Sequence, residues 1–315
     1  MPRTSSPLWG QTGHVAVHAA GVVVLICVGY LQVTTGDGGD LRGFHEAWQG
    51  GLYDVAWHES GAFVYSPAAG AVIWPFGQMP FQSFAVVWIA GQLVALAWLV
   101  GIPMAAVLAV FFQPVVRDLE SGNIHIFLAV AVALALRYPA AWAVVLLTKV
   151  TPGVGIAYHL GARQWRSLAV ATAVTLAIVV VGVAAAPGLW AEWVDLLRAA
   201  AGQPPHPNDQ LPVPLLARLP IALGVAAVAG WRRWAWAVPL AAVIAMPSVW
   251  LSSFSILLAS WRLLDREALA TIIGPAARNP AQPAADSTTG RGSSGGDPGP
   301  ASGPSRSVGI TSDQE

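Results

Sequence analysis

Lysine is almost missing from this chain: of its 16 Lys and Arg residues only Lys149 is a lysine, and every other one is arginine. Charge of either sign is scarce. Asp, Glu, Lys and Arg make up 10% of the residues, where a soluble domain carries about 25%, and 55% are hydrophobic. That composition excludes an ordinary soluble domain and defines an integral membrane protein. The formal net charge is zero, so no basic stripe points to nucleic acid as a partner. The one cysteine, Cys27, excludes an intramolecular disulfide and reads as packing in the first apolar segment. The sequence also has no Cys/His set with zinc spacing, no phosphate-cradling glycine loop ahead of a helix, and no Ser-His-Asp spacing of a hydrolase.

Long apolar runs are what the chain does have. Segments 14–33, 83–101, 166–186 and 213–230 are each long enough to cross a hydrocarbon core of roughly 30 Å. Shorter runs at 67–80, 103–116, 123–136, 235–247 and 253–264 are expected as short or broken helices inside the bundle, where irregular backbone is tolerated beside a cavity. Many of the 15 tryptophans, such as Trp74, Trp142, Trp190, Trp231 and Trp250, stand at the ends of apolar runs in the manner of interfacial belts. The expectation is an all-α polytopic helix bundle over 14–264, with short broken helices and interfacial helices on the outer face. Residues 1–13 form a cytoplasmic N-terminus. Residues 265–315, rich in Pro, Gly and Ser, form a cytoplasmic, mostly disordered tail.

Arginine placement gives the orientation. With Met1 inside and the loop 34–66 outside, Arg137, Arg163, Arg166, Arg232, Arg233, Arg262 and Arg266 fall on the cytoplasmic side. Arg137 and Arg163 then share a side, so 139–161 has to return to where it started. A broken hairpin with Lys149 at its outer tip satisfies that, and Thr151-Pro152-Gly153 supplies the break. An ammonium at membrane depth costs about 2.5–3.5 kcal/mol or more, and so faces a polar cavity or an anionic partner, or else snorkels to the interface.

The first outer loop, 34–66, is acidic. A short helix over 41–49 is expected there, with Leu41, Phe44 and Trp48 along one side, lying on the membrane rather than crossing it. On spacing alone Asp40 reads first as the N-cap of that helix and second as a general base held at the membrane–water boundary. Three further polar clusters are expected on the same face: Arg117-Asp118-Leu119-Glu120-Ser121-Gly122-Asn123-Ile124-His125, then Glu192, Trp193 and Asp195, then His206-Pro207-Asn208-Asp209-Gln210 closing on Arg218.

The order of these pieces is distinctive. Asp40-Leu41-x-x-Phe44 and Gly50-Gly51-x-Tyr53 follow the first span, and then come Tyr65-Ser66-Pro67, Ser121-Gly122-Asn123-Ile124-His125, Leu147-Thr148-Lys149-Val150-Thr151-Pro152-Gly153, Asn208-Asp209-Gln210-Leu211 and Pro247-Ser248-Val249-Trp250. From about Gly36 to Leu264 the chain resembles glycosyltransferase family 87 of the GT-C superfamily, actinobacterial membrane enzymes that use polyprenyl-phosphate sugars, mostly mannose. The resemblance implies transfer of mannose from a β-linked polyprenyl-phosphate donor to a glycolipid or lipoglycan acceptor at the outer face of the cell membrane, with inversion to an α-mannoside. It implies Asp40 as the general base. Lys149 and Arg218 suit the donor phosphate by their chemistry, and no metal is expected because cations are supplied by the protein. Asp37, His45, Tyr65, Asn123, His125, Asn208 and Gln210 are the candidates for holding sugar or acceptor. The chain departs from the family pattern at Asn123 and His125, at Asp209 and Leu211, and at Ser252 and Ser253, which leaves the identity of sugar and acceptor open. A pentose donor such as arabinose is the second reading. A transporter or flippase with Lys149 in its central site is a third, disfavoured because few polar groups lie on the cytoplasmic side.

Overall fold

The computed structural model describes residues 8–56, 59, 61–201 and 207–264. Met1–Leu269 form one unit. The second unit, Ala270–Glu315, lies outside the described residues, as do His206 and the segment 265–315 on which the tail was expected.

Among the described residues there are helices and no strands. Four helices are long and apolar enough to cross a membrane: α1 (Leu8–Thr35, apolar over Gly13–Thr35), α4 (Phe81–Val100), α10 (Trp165–Ala185) and α12 (Leu215–Arg232). They coincide with the four runs expected from the sequence to within about two residues, the usual uncertainty of helix ends. Between them lie α2 (Gly39–Glu46) and α3 (Pro67–Gly77), then α5 (Ile102–Phe111), α6 (Gln113–Ser121) and α7 (His125–Ala135). The shorter pieces are α8 (Trp142–Thr148), α9 (Ala157–Gly161), α11 (Pro187–Ala201), α13 (Val238–Ile244) and α14 (Leu258–Leu263). Most side chains of α10 remain exposed, as suits a helix turned to lipid, whereas α7 is buried along most of its length.

Two breaks shape the site. The run expected over 103–116 does not continue as one helix: α5 and α6 meet at 82°. Phe112 leaves the helical region (φ −94°, ψ 101°), and Pro114 sits in the first turn of α6, where its missing N–H leaves no helical bond unmade. The second break is the one expected at Lys149. Helix α8 ends at Thr148, Lys149 is extended (φ −129°, ψ 106°), and a 3₁₀ turn over Thr151–Ile156 leads back into α9, packing on α8 as it returns. The expected hairpin is present, with Lys149 at its bend.

The return arm is locked by backbone contact. A Cβ placed on Gly161 would stand 1.9 Å from the Ala227 carbonyl oxygen, and one on Gly230 would stand 2.0 Å from that of Tyr158. Helices α9 and α12 therefore touch main chain to main chain, as small residues permit between membrane helices. Gly224, also on α12, has nothing within 4 Å of its Cβ position. Gly161→Val and Gly230→Val are expected to lower the thermal stability of the detergent-solubilised protein strongly, by about 3 kcal/mol or more of overpacking, while Gly224→Val leaves it nearly unchanged. Equal melting of all three variants would contradict this packing.

Candidate active site

Asp40 and Lys149 line the same cavity, about 790 Å³ in volume. They reach it from segments far apart in sequence, and a few specific contacts bring them there. Gly38, in the left-handed region (φ 58°), precedes α2, and its N–H donates to the Glu120 carbonyl at 3.1 Å. That fastens the start of α2 to the end of α6. Gly122 ends α6, also left-handed (φ 67°), with Leu41 of α2 packed against the spot a Cβ would fill. The turn this glycine permits delivers Asn123, whose side-chain amide donates a short hydrogen bond to Asp40 Oδ2. The other side of the first loop is tied to the hairpin, because the Ser66 N–H donates to the Leu147 carbonyl at 3.2 Å, two residues before Lys149.

Helix α2 covers 39–46 instead of 41–49, which changes the reading of Asp40. The N-cap position belongs to Gly38, and Asp40 lies inside the first turn with its carboxylate turned to Asn123. Asp37 Oδ1 accepts the Gly39 N–H at 3.1 Å. The apolar side of α2 does not face lipid either. Leu41 and Phe44 are buried, and the Phe44 ring packs on Trp88 of α4 (centroids 4.8 Å apart) and on Tyr65 (5.3 Å). Thus Asp40 is set on a helix that the bundle itself holds down.

Lys149 is held from behind. Its Nζ lies 2.9 Å from His125 Nε2 and 6.0 Å from the centre of the Tyr65 ring. His125 and Asp118 are both fully buried; Asp118 Oδ1 lies 3.0 Å from His125 Nδ1, and Asp118 Oδ2 accepts the Ile126 N–H at 2.9 Å. Lys149 makes no direct ion pair: among the described residues the ion pairs are Arg117–Glu120 and Arg198–Asp195, with Asp118 against the His125 ring. Close by, the Thr151 hydroxyl is a buried cavity-lining group with no hydrogen-bond partner.

Part of the cavity wall is apolar. It is built by Trp193, Leu196, Leu197 and Ala200 of α11, with Trp250 and Leu251 beside them. Trp193 anchors α11 by donating its indole N–H to the Val64 carbonyl at 3.4 Å. A molecule filling this cavity therefore meets an acid, an amide and an ammonium as well as hydrocarbon.

Not every expected residue reaches the cavity. Asp37, Tyr65 and Asn123 line it, and His125 lies beneath Lys149. Arg218 does not reach it. Its guanidinium is spent on the carbonyls of Val213, Ile244, Met246 and Pro247, at 2.7, 3.0, 2.9 and 3.1 Å, so it shapes the strand of chain that carries Pro247 and Ser248 into the cavity wall. His45 is buried against the Met79 carbonyl (Nε2 at 2.8 Å) and ties α2 to the start of α4. Asn208 and Gln210 are exposed and outside the lining; Gln210 donates its backbone N–H to Val249, and its side-chain amide to the Asn208 carbonyl. Conversely, Asp118 and Thr151 went unselected in the sequence. A carboxylate seven residues before a histidine, across a glycine turn, was the available clue to Asp118.

Among the described residues no group of three or more His, Cys, Asp or Glu side chains is placed to hold a metal ion. Burial is the main influence on Asp40 and raises its carboxyl above the ordinary carboxylate range; Lys149, Asn123 and Ser121 oppose the rise, and Asp37 adds to it.

A helical membrane bundle in which a carboxylate and a lone ammonium share a cavity with a hydrocarbon wall has the makeup of an enzyme for amphiphilic substrates. The sequence comparisons give that class a family. The family model described as Glycosyltransferase family 87 matches residues 63–274, and the chain belongs to that family. The match includes Asn123, His125 and Lys149 and begins beyond Asp40. The chain is also 28% identical over 155 residues to a protein of Mycolicibacterium smegmatis, the polyprenol-phosphate-mannose-dependent alpha-(1-2)-phosphatidylinositol pentamannoside mannosyltransferase. That similarity covers 41% of this chain and 38% of the relative, so the chain matches well under half of that protein's length. Comparison with solved structures gives no match.

The raised carboxyl has a consequence for stability. The folded state binds the Asp40 proton more tightly than the unfolded chain does, so stability from this group is present in acid and is lost as pH rises through the folded-state value. Asp40→Asn is therefore expected to match the wild type in acid and to melt higher at neutral pH, as read by thermal unfolding in detergent. A mutant that melts lower at neutral pH would mean that attraction to Lys149 outweighs burial.

Proposed function

We propose that this family 87 member transfers mannose from a polyprenyl-phosphate donor to a glycolipid or lipoglycan acceptor at the extracytoplasmic face, inverting a β-linked donor to an α-mannoside. The observation that carries the reading is the shared cavity of Asp40 and Lys149. A single displacement needs a base on the attacking side of the sugar and a positive group on the leaving side. Asp40, desolvated and held by Asn123, takes the acceptor hydroxyl's proton as that oxygen attacks the anomeric carbon. Lys149 stabilises the charge that collects on the phosphate as the glycosidic C–O bond breaks, and the Thr151 hydroxyl donates to a phosphate oxygen. The polyprenyl chain lies along the apolar wall of α11. The name of the mycolicibacterial relative supports a polyprenyl-phosphate-mannose donor and an inositol-lipid acceptor. Placement at the outer face rests on the arginine distribution.

The decisive experiment gives the purified protein radiolabelled polyprenyl-phosphate mannose together with a membrane glycolipid extract. Transfer is expected, and Asp40→Asn is expected to abolish it, by a factor of about 10³ or more, while the protein still accumulates. Lys149→Ala and Thr151→Val are expected to raise the KM for donor more than that for acceptor, by about tenfold and several-fold respectively. Transfer from a polyprenyl-phosphate arabinose donor and none from mannose would select the pentose reading; full activity of Asp40→Asn would sink the assignment of the base.

The leaving group needs one cation, and the protein supplies it, so the reaction is proposed to need no metal. Transfer is expected to survive EDTA. Loss of activity on chelation, restored by magnesium or manganese, would contradict this.

A further inference from the structure

The geometry points to His125, fixed by Asp118, as the positioning residue that aims the Lys149 ammonium into the cavity while leaving its charge unpaired. This rests on the phosphate-binding role given to Lys149 above. Three observations carry it. First, the contacts form a chain from the interior to the cavity: Asp118 Oδ1 to His125 Nδ1 at 3.0 Å, then His125 Nε2 to Lys149 Nζ at 2.9 Å. Second, Asp118 and His125 are wholly buried, so no water competes for these bonds. Third, with Asp118 ionised and Lys149 charged, hydrogen-bond bookkeeping allows one tautomer. Asp118 Oδ2 already accepts from Ile126 N–H at 2.9 Å, and Oδ1 is an acceptor too, so Nδ1 carries the ring proton and donates to it. Nε2 is left with its lone pair, which accepts from the ammonium. The Ser253 hydroxyl is 3.4 Å from the same nitrogen, another donor facing an acceptor. A second ring proton would point an N–H at the ammonium.

The arrangement differs from a salt bridge in what it leaves available. A carboxylate touching Lys149 would neutralise the ammonium and have to be displaced by an incoming phosphate. A neutral imidazole fixes direction and leaves the charge for the ligand, while Asp118, one ring further back, balances that charge within the protein. Asp118 is thus a positioning residue through His125, as outer-shell carboxylates are for metal-bound histidines.

The absence of any other lysine supplies a test that needs no sugar donor. In the full-length protein, acylation of Lys149 by an amine-reactive ester is followed by mass spectrometry of its peptide, in wild type, His125→Leu, His125→Gln and Asp118→Asn. Glutamine places an amide oxygen near the position of Nε2. Asparagine at 118 can donate to Nδ1 and so favour the opposite tautomer. Leucine and Asp118→Asn release the side chain and weaken the hold on its proton, so acylation is expected to accelerate about tenfold, whereas His125→Gln stays within about twofold of wild type. In transfer assays the same two variants are expected to raise donor KM about tenfold with acceptor KM unchanged, and Gln to restore it. The proposal is overturned if Leu and Asp118→Asn leave acylation within about twofold of wild type, or if Gln behaves like Leu in both assays. Where a variant fails to accumulate, Asp118→Asn, the nearly isosteric change, decides. Should acylation respond as expected while no lipid-phosphate sugar is consumed, the positioning role stands and the glycosyl-transfer reading falls.

Discussion

A cation inside an apolar bundle has to be solvated by the protein, and the solvation of Lys149 organises everything around the cavity. An isolated ammonium moved away from water costs several kcal/mol, so it persists only where acceptors and compensating charge are in place. Here the acceptor is His125 Nε2, the ring of Tyr65 faces the charge, and two carboxylates, Asp40 and Asp118, stand near enough to act on it. The fold is arranged so that none of those carboxylates touches it. The broken hairpin 139–161, the sharp bend between α5 and α6, and the glycine turn at Gly122 all serve to bring these groups to one place from three separate segments.

The two breaks are also where backbone polar groups would be exposed to lipid if the segments lay at the surface. Phe111 at the first and Val150 at the second are exposed, while the turn at Gly122 and Asn123 is buried. Asn123 shows the economy: its side-chain oxygen accepts the Ile124 N–H at 2.7 Å, its amide serves Asp40, and its own carbonyl accepts from Gln92 of α4 at 2.6 Å. One residue at the turn satisfies the chain, joins it to a spanning helix and fixes the carboxylate. Irregular backbone at membrane depth is tolerated where it lines a cavity, and this cavity is built from it.

How legible this was depended on the physics each residue obeys. The four long helices follow from apolar length alone, which the bilayer enforces on any sequence. Lys149 was legible because charge in an apolar run is costly, and the hairpin because Arg137 and Arg163 had to share a side. Asp40 was read first as a cap; the structure moves the helix start by two residues and frees its side chain for Asn123. Arg218 shows the opposite failure. Its chemistry suits a phosphate, but three carbonyls at the break after α13, together with that of Val213, take the guanidinium for backbone satisfaction. Composition and spacing cannot say which need wins, because three of the competing carbonyls come from residues nearly thirty positions away.

The contrast between Arg218 and Lys149 bears on how the proposed site would use its charges. Arginine presents a rigid fork of donors that suits several fixed acceptors at once, and here it finds them in the main chain. Lysine is a point charge on a flexible stem, and it needs only one fixed acceptor to be aimed. That acceptor is an imidazole, and Asp40, held by Asn123, is a carboxylate near enough to act on the charge. A bound phosphate would add negative charge beside Asp40 and compete with it for the ammonium, and both effects favour the protonated carboxyl. In the proposed mechanism, a carboxylate already raised by burial would then be a stronger base, though less of it would be in the basic form. In that arrangement the donor itself strengthens the group that activates the acceptor, so acid–base strength and phosphate binding are set by a single balance of charge around Lys149.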